Sequence, residues 1–416
     1  MERQAWLGRR GRLRSLAVVV VVVGAALGLT AGPAGGSSGS SGDPIVTAAV
    51  VGAGAVGVGP AVGPVAIGTK PVELPELASP SKPTSTATSS STSWLRVEGN
   101  QLVDAAGQPI VLHGVDRSGT EYACVQGWGI FDGPFDAASV AAIASWGVNA
   151  VRIPLNEDCW LGINGVKPAY SGTNYRKAIE AYVDLLEADH VEAILDLHWS
   201  APGTELATGQ AEMADADHSP AFWSSVAGAF RAQPNVMFDL FNEPEAISWS
   251  CWLKGCEIPA SGGHPAWQAA GMQTLVDAVR NAGATQPIML GGVDWATNLE
   301  GWLAHEPVDP LHQLVASFHV YNFTGCSTTS CWDSTVLPVA RAVPVVTGEV
   351  GQNTCGGHWA SSYLDWANQH GISYLAWTWD TWGCPYGLVT SYDGSPSAWG
   401  RLLLSDLRSL PSQPQL

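Results

Sequence analysis

The sequence predicts an α/β protein whose main domain is a (β/α)8 TIM barrel with an N-terminal β-hairpin, preceded by a signal peptide and a disordered linker. Three observations carry this prediction. Eight short apolar runs alternate with helical patterns or long connections over roughly 300 residues. No Gly-rich phosphate loop follows the first run, as an open doubly wound sheet would want, since 113–122 offers none. Polar residues able to do chemistry stand at all eight run ends, where a barrel places its functional face.

The elements follow in order. Residues 94–97 and 101–103 flank a Glu-Gly-Asn turn and read as a small hairpin over the barrel floor. The apolar run 110–115 is the first strand. Asp136 can cap a helix carrying Val140, Ile143 and Trp146, stopped by Gly147. Run 150–153 comes next, and Ile179, Tyr182, Val183 and Leu186 then form an i, i+3, i+4, i+7 stripe. Run 193–197 precedes a helix with Phe222, Val226 and Phe230. Run 236–241 precedes one with Leu275, Val276 and Val279. Runs 288–290, 315–318 and 345–347 follow, and a helix with Trp359, Tyr363 and Trp366 leads to run 374–377. A final helix holds Trp399, Leu402, Leu403 and Leu407.

The ends of the chain read differently. Residues 1–34 have five Arg, an apolar stretch and then small residues, the pattern of a secretory signal peptide. An uncleaved membrane anchor is the alternative, although the apolar stretch is shorter than the ~20 residues of a spanning helix. Residues 35–93 hold few charges and no aromatics, and end in a Ser/Thr/Pro run, so they read as a tether. The expected domain spans 94–410, with a tail at 411–416.

Net charge is −18, and removing 1–34, with five Arg and one Glu, makes it −22. That balance argues against nucleic acid or an anionic membrane as partner and suits a secreted, extracellular monomer with a neutral substrate. Eight Cys behind a signal peptide imply disulfides. In a barrel, Cys124 and Cys159 follow neighbouring strands, as do Cys355 and Cys384, while Cys251–Cys256 and Cys326–Cys331 would close local loops. Their spacings are not those of a zinc ribbon, and we expect no metal and no cofactor.

The run ends supply the candidate chemistry. They hold His113 and Asp116, Arg152, His198 and Trp199, Asn242-Glu243-Pro244, Asp294-Trp295, His319 and Tyr321, Glu349, and Trp377 with Trp379. Retaining glycoside hydrolysis needs two carboxyl groups ~5–5.5 Å apart. Strands four and seven lie nearly opposite in an eight-stranded barrel, so Glu243 in FNEP and Glu349 in TGEVG can face each other across a sugar. Each residue taken singly also fits a structural role: a salt bridge for Arg152, a core position for either histidine, packing for Trp377.

With Asn-Glu-Pro after an apolar run and a second Glu on run seven, the chain resembles glycoside hydrolase family 5 over most of 94–410. The resemblance implies Glu243 as acid/base and Glu349 as nucleophile, with Asn242 on the sugar 2-hydroxyl. It implies that Arg152 in NAVRIPL pairs with the nucleophile and stabilises its charge. It makes His198 in LDLHW, and His319 and Tyr321 in FHVYN, active-site residues, with the tyrosine orienting the nucleophile. Trp377 in AWTWD would stack under the sugar. The family commonly has Gly-Val-Asn where this chain has Gly114-Val115-Asp116, which leaves the sugar contact there open.

Nineteen Trp, with Trp128, Trp160, Trp199, Trp249, Trp252, Trp295, Trp332 and Trp382 in loops after strands, suit a groove for a β-glycan, or pack the loops together. The expected activity is an endo-β-1,4-glucanase. A β-mannanase or an exo-acting β-glucanase or β-glucosidase comes next. A metal-dependent hydrolase built on His198 and His319 and a non-catalytic carbohydrate-binding protein are the readings of other classes.

Overall fold

Side chains alternate in and out along a strand, and in this chain that alternation builds a closed parallel barrel. The structure is a computed structural model that describes residues 93–411. The expected signal peptide, nearly all of the linker and the tail after residue 411 lie outside the described residues.

The barrel strands are β1 (His113–Asp116), β2 (Ala150–Asn156), β3 (Glu192–Trp199), β4 (Val236–Asp239), β5 (Ile288–Gly291), β6 (Leu314–Tyr321), β7 (Val345–Gly351) and β8 (Ser373–Ala376). Each pairs in parallel with its neighbours, β8 with β1 and β4 with β5, so no edge is left open. One interior layer is apolar: Ala150, Ile194, Met237, Met289, Val315, Val346 and Leu375, one from each of β2 to β8. Two residues further along β1 to β4 stand Asp116, Arg152, Asp196 and Asp239, and this second layer is polar. The register places Arg152 beside Asp116 and Ile194, and Asp196 beside Asp239.

The N-terminal hairpin is present as Arg96–Glu98 paired antiparallel with Gln101–Val103, and Pro109–Ile110 adds a third strand. Leu95, Leu102, Ile110 and Leu112 pack onto the apolar layer and plug the floor.

Helices α1 (Ala137–Ala144), α2 (Thr173–Ala188), α3 (Ser219–Phe230), α4 (Met272–Asn281), α5 (Thr329–Thr335), α6 (His358–His370) and α7 (Ala398–Ser409) surround the barrel. Asp136 caps α1 by accepting from the Ser139 N–H at 2.9 Å. Ile179, Tyr182, Val183 and Leu186 are the buried stripe of α2. No helix is described between β5 and β6. There Leu299 and Trp302 are buried, and the Trp302 indole donates to Leu290 O at 3.1 Å. Two large side chains thus do the covering that a helix face does elsewhere.

Three details differ from expectation. Strand β2 continues to Asn156, so Arg152 lies inside the barrel rather than at the strand's end. His113 opens β1 instead of ending it and packs its ring 4.8 Å from Tyr374. After β4 an unforeseen strand pair, Cys256–Ile258 with Trp267–Ala269, stands out from the rim. Its strands are three residues each, too short to give a period.

All four expected disulfides form: Cys124–Cys159, Cys251–Cys256, Cys326–Cys331 and Cys355–Cys384. Every half-cystine lies on a segment that follows a barrel strand, on the rim rather than the floor.

Candidate active site

The site grows out of the polar layer. Arg152 is fully buried, and its five N–H groups find five acceptors. Nε reaches Asp239 Oδ2 at 2.9 Å. Nη1 reaches Asp116 Oδ1 at 3.1 Å and Glu349 Oε1 at 2.9 Å. Nη2 reaches Asn242 Oδ1 at 2.9 Å and Asp196 Oδ2 at 3.0 Å. A planar guanidinium is the side chain that can bind five oxygens at fixed angles. It joins β2 to β1, β3, β4 and β7 at one point.

One positive charge cannot offset four buried carboxylates. Burial pushes Asp116 well above the usual carboxylate range, and Arg152 pulls the other way. It pushes Asp196 up to about 7 and Asp239 up to about 6, again against Arg152. The extra carboxyl at position 116 therefore belongs to this cluster: it is fully buried and faces Arg152 beneath the rim.

Glu349 lies above the cluster on β7. Beyond Arg152 on Oε1, its Oε2 accepts from the Tyr321 hydroxyl at 2.5 Å. Gly348 leaves room for its β6 neighbours, since a Cβ there would come 2.7 Å from His319 Nε2 and 2.8 Å from Ser317 Oγ. Gly351 similarly gives its space to the Tyr321 ring. The Gly-Glu-Val-Gly spacing is thus a clearance pattern for three β6 side chains, Ser317, His319 and Tyr321.

Glu243 follows β4 with φ +51°, a left-handed conformation rare outside glycine. Such a conformation persists only where neighbours over-determine it. Gln210, from the β3–α3 loop, supplies part of that constraint, with its amide nitrogen 3.2 Å from Glu243 O. Asn242 Nδ2 donates to Gln210 Oε1 at 2.8 Å, leaving one N–H of that amide for another acceptor. On the other side the Trp295 N–H donates to Pro244 O at 3.0 Å from a turn in which Asp294, Trp295 and Ala296 all have positive φ.

His319 Nδ1 lies 3.1 Å from Glu243 Oε1 and 3.8 Å from Glu349 Oε1. Donor atoms of Glu243, His319 and Glu349 all fall within 4.8 Å of one another, so the two carboxyl groups confront each other closely. Burial pushes Glu243 up to about 8, with Arg152 opposing and Asp196 adding to the shift. Burial also drives His319 down to about 4 and His198 down to about 3, so both imidazoles are neutral at pH 7. His198 Nδ1 is 2.6 Å from Asp196 Oδ2, and its ring stacks on half-buried Trp377 at 5.5 Å with planes 8° apart.

All eight residues singled out in the sequence (Arg152, His198, Asn242, Glu243, His319, Tyr321, Glu349 and Trp377) converge here. Aromatic rings continue outward from Trp377 through Trp382, 6.4 Å away, to Tyr122, which is 6.1 Å from Trp382 and 6.0 Å from Trp128. Of the loop tryptophans, Trp160, Trp252 and Trp332 are fully buried and serve packing. Trp128 and Trp295 are 42% and 40% exposed. Sequence reasoning missed Asp196, Asp239 and Gln210. The aspartates had a signal, an ionisable group inside an apolar strand, which must find a partner. Gln210 had none.

The profile of Cellulase (glycosyl hydrolase family 5) matches residues 103–383. The chain belongs to glycosyl hydrolase family 5. This family 5 chain is therefore an O-glycosyl hydrolase. It is 24% identical over 297 residues to a mannan endo-1,4-beta-mannosidase of Salipaludibacillus agaradhaerens, spanning 68% of this chain and 80% of that protein. It is 26% identical over 291 residues to an endoglucanase of Streptomyces lividans, spanning 68% of this chain and 55% of that relative. A crystal structure of a β-glucanase from Saccharophagus degradans superposes with TM-score 0.57 at 19% identity, covering 76% of this chain and 93% of that one. The catalytic domain of a mannanase from Streptomyces sp. SirexAA-E gives 0.56 at 20%, covering 78% and 94%. At such identities these likenesses concern the fold.

Proposed function

We propose that this glycosidase is a secreted, monomeric endo-β-1,4-glucanase that works with retention, using Glu243 as acid/base and Glu349 as nucleophile. The observation that carries the reading is the unequal setting of two carboxyl groups within 4.8 Å. Glu349 is bonded by a guanidinium and a phenol, both donors. Glu243 is raised to about 8 and is protonated at neutral pH. Close spacing is the retaining arrangement, because an inverting pair leaves room for a water between carboxyls.

In this reading a sugar ring lies on Trp377, which the neutral His198 supports from behind. The free Asn242 N–H meets the 2-hydroxyl. Glu349 attacks the anomeric carbon as Glu243 passes its proton to the departing glycosidic oxygen. Glu243, now ionised, takes a proton from water, and that water displaces Glu349 from the glycosyl ester.

A carboxyl that must be protonated to act loses activity as pH rises through its pKa. We expect kcat/KM to fall above about pH 8. Glu243→Ala should remove that limb and cost at least about a hundredfold on polysaccharide. It should cost far less in the first step on an aryl glycoside whose leaving group needs no proton. An unchanged alkaline limb in the variant would end this assignment.

The relatives favour a second reading, a β-1,4-mannan substrate, since the first two matched are mannosidases. Reducing-sugar release from carboxymethylcellulose, galactomannan and laminarin separates the two. Faster release from carboxymethylcellulose supports the glucanase, and release from galactomannan alone overturns it. The proposed secretion rests on residues 1–34 and four disulfides. Sequencing the N-terminus of exported protein tests it.

A further inference from the structure

A second group of acids is buried away from the catalytic pair. Glu157 opens the short helix Glu157–Leu161 that follows β2, and Asp215 lies in the β3–α3 loop; both are fully buried. His218, the residue before α3, and Asp217 stand at the outer edge of the group. His218 Nδ1 is 3.7 Å from Asp215 Oδ1, 3.9 Å from Asp217 Oδ1 and 4.0 Å from Glu157 Oε1. Donor atoms of Glu157, Asp215 and His218 lie within 4.8 Å of one another.

Some of these oxygens have donors. Ser219 Oγ donates to Glu157 Oε2 at 2.5 Å and lies 3.1 Å from Asp215 Oδ2. The His218 N–H reaches Asp215 Oδ1 at 2.7 Å, and the Gly203 N–H reaches Asp217 Oδ2 at 2.7 Å. Glu157 Oε1 and His218 Nδ1 are buried and have no hydrogen-bond partner. Among the described residues no Lys or Arg forms an ion pair with any of these acids, and their salt bridges are all to His218.

Spacing decides what such a group can hold. A direct hydrogen bond needs roughly 2.7–3.2 Å, so at 3.7–4.0 Å His218 Nδ1 shares no proton with these carboxyls, although Asp215 bonds to Glu157 and to Asp217. Ligand atoms around one tetrahedral ion, each ~2.1 Å from it, are about 3.4 Å from one another. The distances from His218 Nδ1 to Asp215 and Glu157 exceed that by a few tenths of an ångström, which small side-chain rotations can close.

We propose that Glu157, Asp215 and His218 bind one divalent transition-metal cation of the zinc or manganese class. One imidazole with two carboxylates suits those ions. Calcium instead wants six to eight oxygens. The ion cross-links the helix after β2, the β3–α3 loop and the start of α3. Its role is structural and reaches the catalytic rim through the same loop, because Gln210 on that loop bonds Asn242.

The test uses the whole chain, stripped with a chelator, dialysed and titrated with Zn2+, Mn2+ or Ca2+, with bound metal measured by atomic emission and stability by thermal unfolding. We expect one Zn2+ or Mn2+ per chain and a rise in melting temperature on the order of 5 °C at saturation. His218→Gln and Asp215→Asn should lose both the bound ion and the rise. His218 is at the group's edge, so its variant should keep a metal-free melting temperature within a few degrees of the stripped wild type even if Asp215→Asn folds poorly. The proposal fails if millimolar Zn2+ and Mn2+ neither bind nor stabilise. It also fails if the ion is retained unchanged in His218→Gln, or if only Ca2+ binds.

Discussion

Glu349→Gln is expected to lower kcat at least about a thousandfold on every substrate the wild type hydrolyses, aryl glycosides included. A carboxamide cannot form the glycosyl ester, so a good leaving group gives no relief, in contrast to Glu243→Ala. The fold should tolerate the change. The Gln carbonyl can accept from Arg152 where Oε1 did, and its NH2 can donate to the Tyr321 oxygen where Oε2 accepted. Removing a charge also relieves Asp116, whose upward shift owes part of its size to Glu349. We therefore expect a melting temperature within a few degrees of wild type. A 2-deoxy-2-fluoro glycoside with a good leaving group should leave one sugar mass on the wild-type peptide containing Glu349 and none on the variant. Activity within tenfold of wild type would place the nucleophile elsewhere.

Arg152→Met should have the largest effect on stability. It removes the one cation that, among the described residues, pairs with buried Asp116, Asp196, Asp239 and Glu349, and leaves four oxygens without their donor, while Asp196 Oδ2 keeps His198. Breaking a buried ion pair from one side costs ~3–5 kcal/mol. Protonation of the abandoned carboxyls limits the loss, so a fall in melting temperature on the order of 10 °C is expected. The sign of the pH dependence follows from the raised Asp196 and Asp239. Carboxyls with pKa values raised in the fold contribute stability that is complete below their unfolded values near 4 and is lost as pH rises through about 6 to 7. Without Arg152 to pull them down, their pKa values move further up. The variant should therefore be closest to wild type near pH 4–5 and weakest at pH 8. Arg152→Lys should rescue little, since an ammonium with three donors cannot replace five. Equal losses at pH 5 and pH 8, read by thermal unfolding, would show that lost packing rather than charge accounts for the effect.

The barrel was legible because apolar runs in a parallel sheet covered on both faces are strong signals, and helices such as α2 carry clean stripes. The connection after β5 was harder, since Leu299 and Trp302 cover the barrel without a period. At the site, Glu243 and Glu349 could be found because their strand-end positions and local contexts are written in the sequence. Asp196 and Asp239 could not be assigned, because the same letters in a strand serve whichever neighbour the register brings. Arg152 showed the limit from the other side. Its pairing with Glu349 was foreseen, while its four further acceptors needed the barrel to be closed. Gln210 acts on Asn242 from 32 residues away through an irregular loop, and no spacing rule reaches that far.

The placement of the disulfides has a consequence for how a polymer is recognised. The barrel is held by its ladders and core, and all four cross-links lie in the segments that rise above it. A long glycan surrenders conformational freedom when it settles into a groove, and loops still free to wander would add their own ordering to that loss. Tied loops have given up that freedom during folding, so the groove meets its ligand already shaped. The cross-links thus become a component of binding, acting before any sugar arrives.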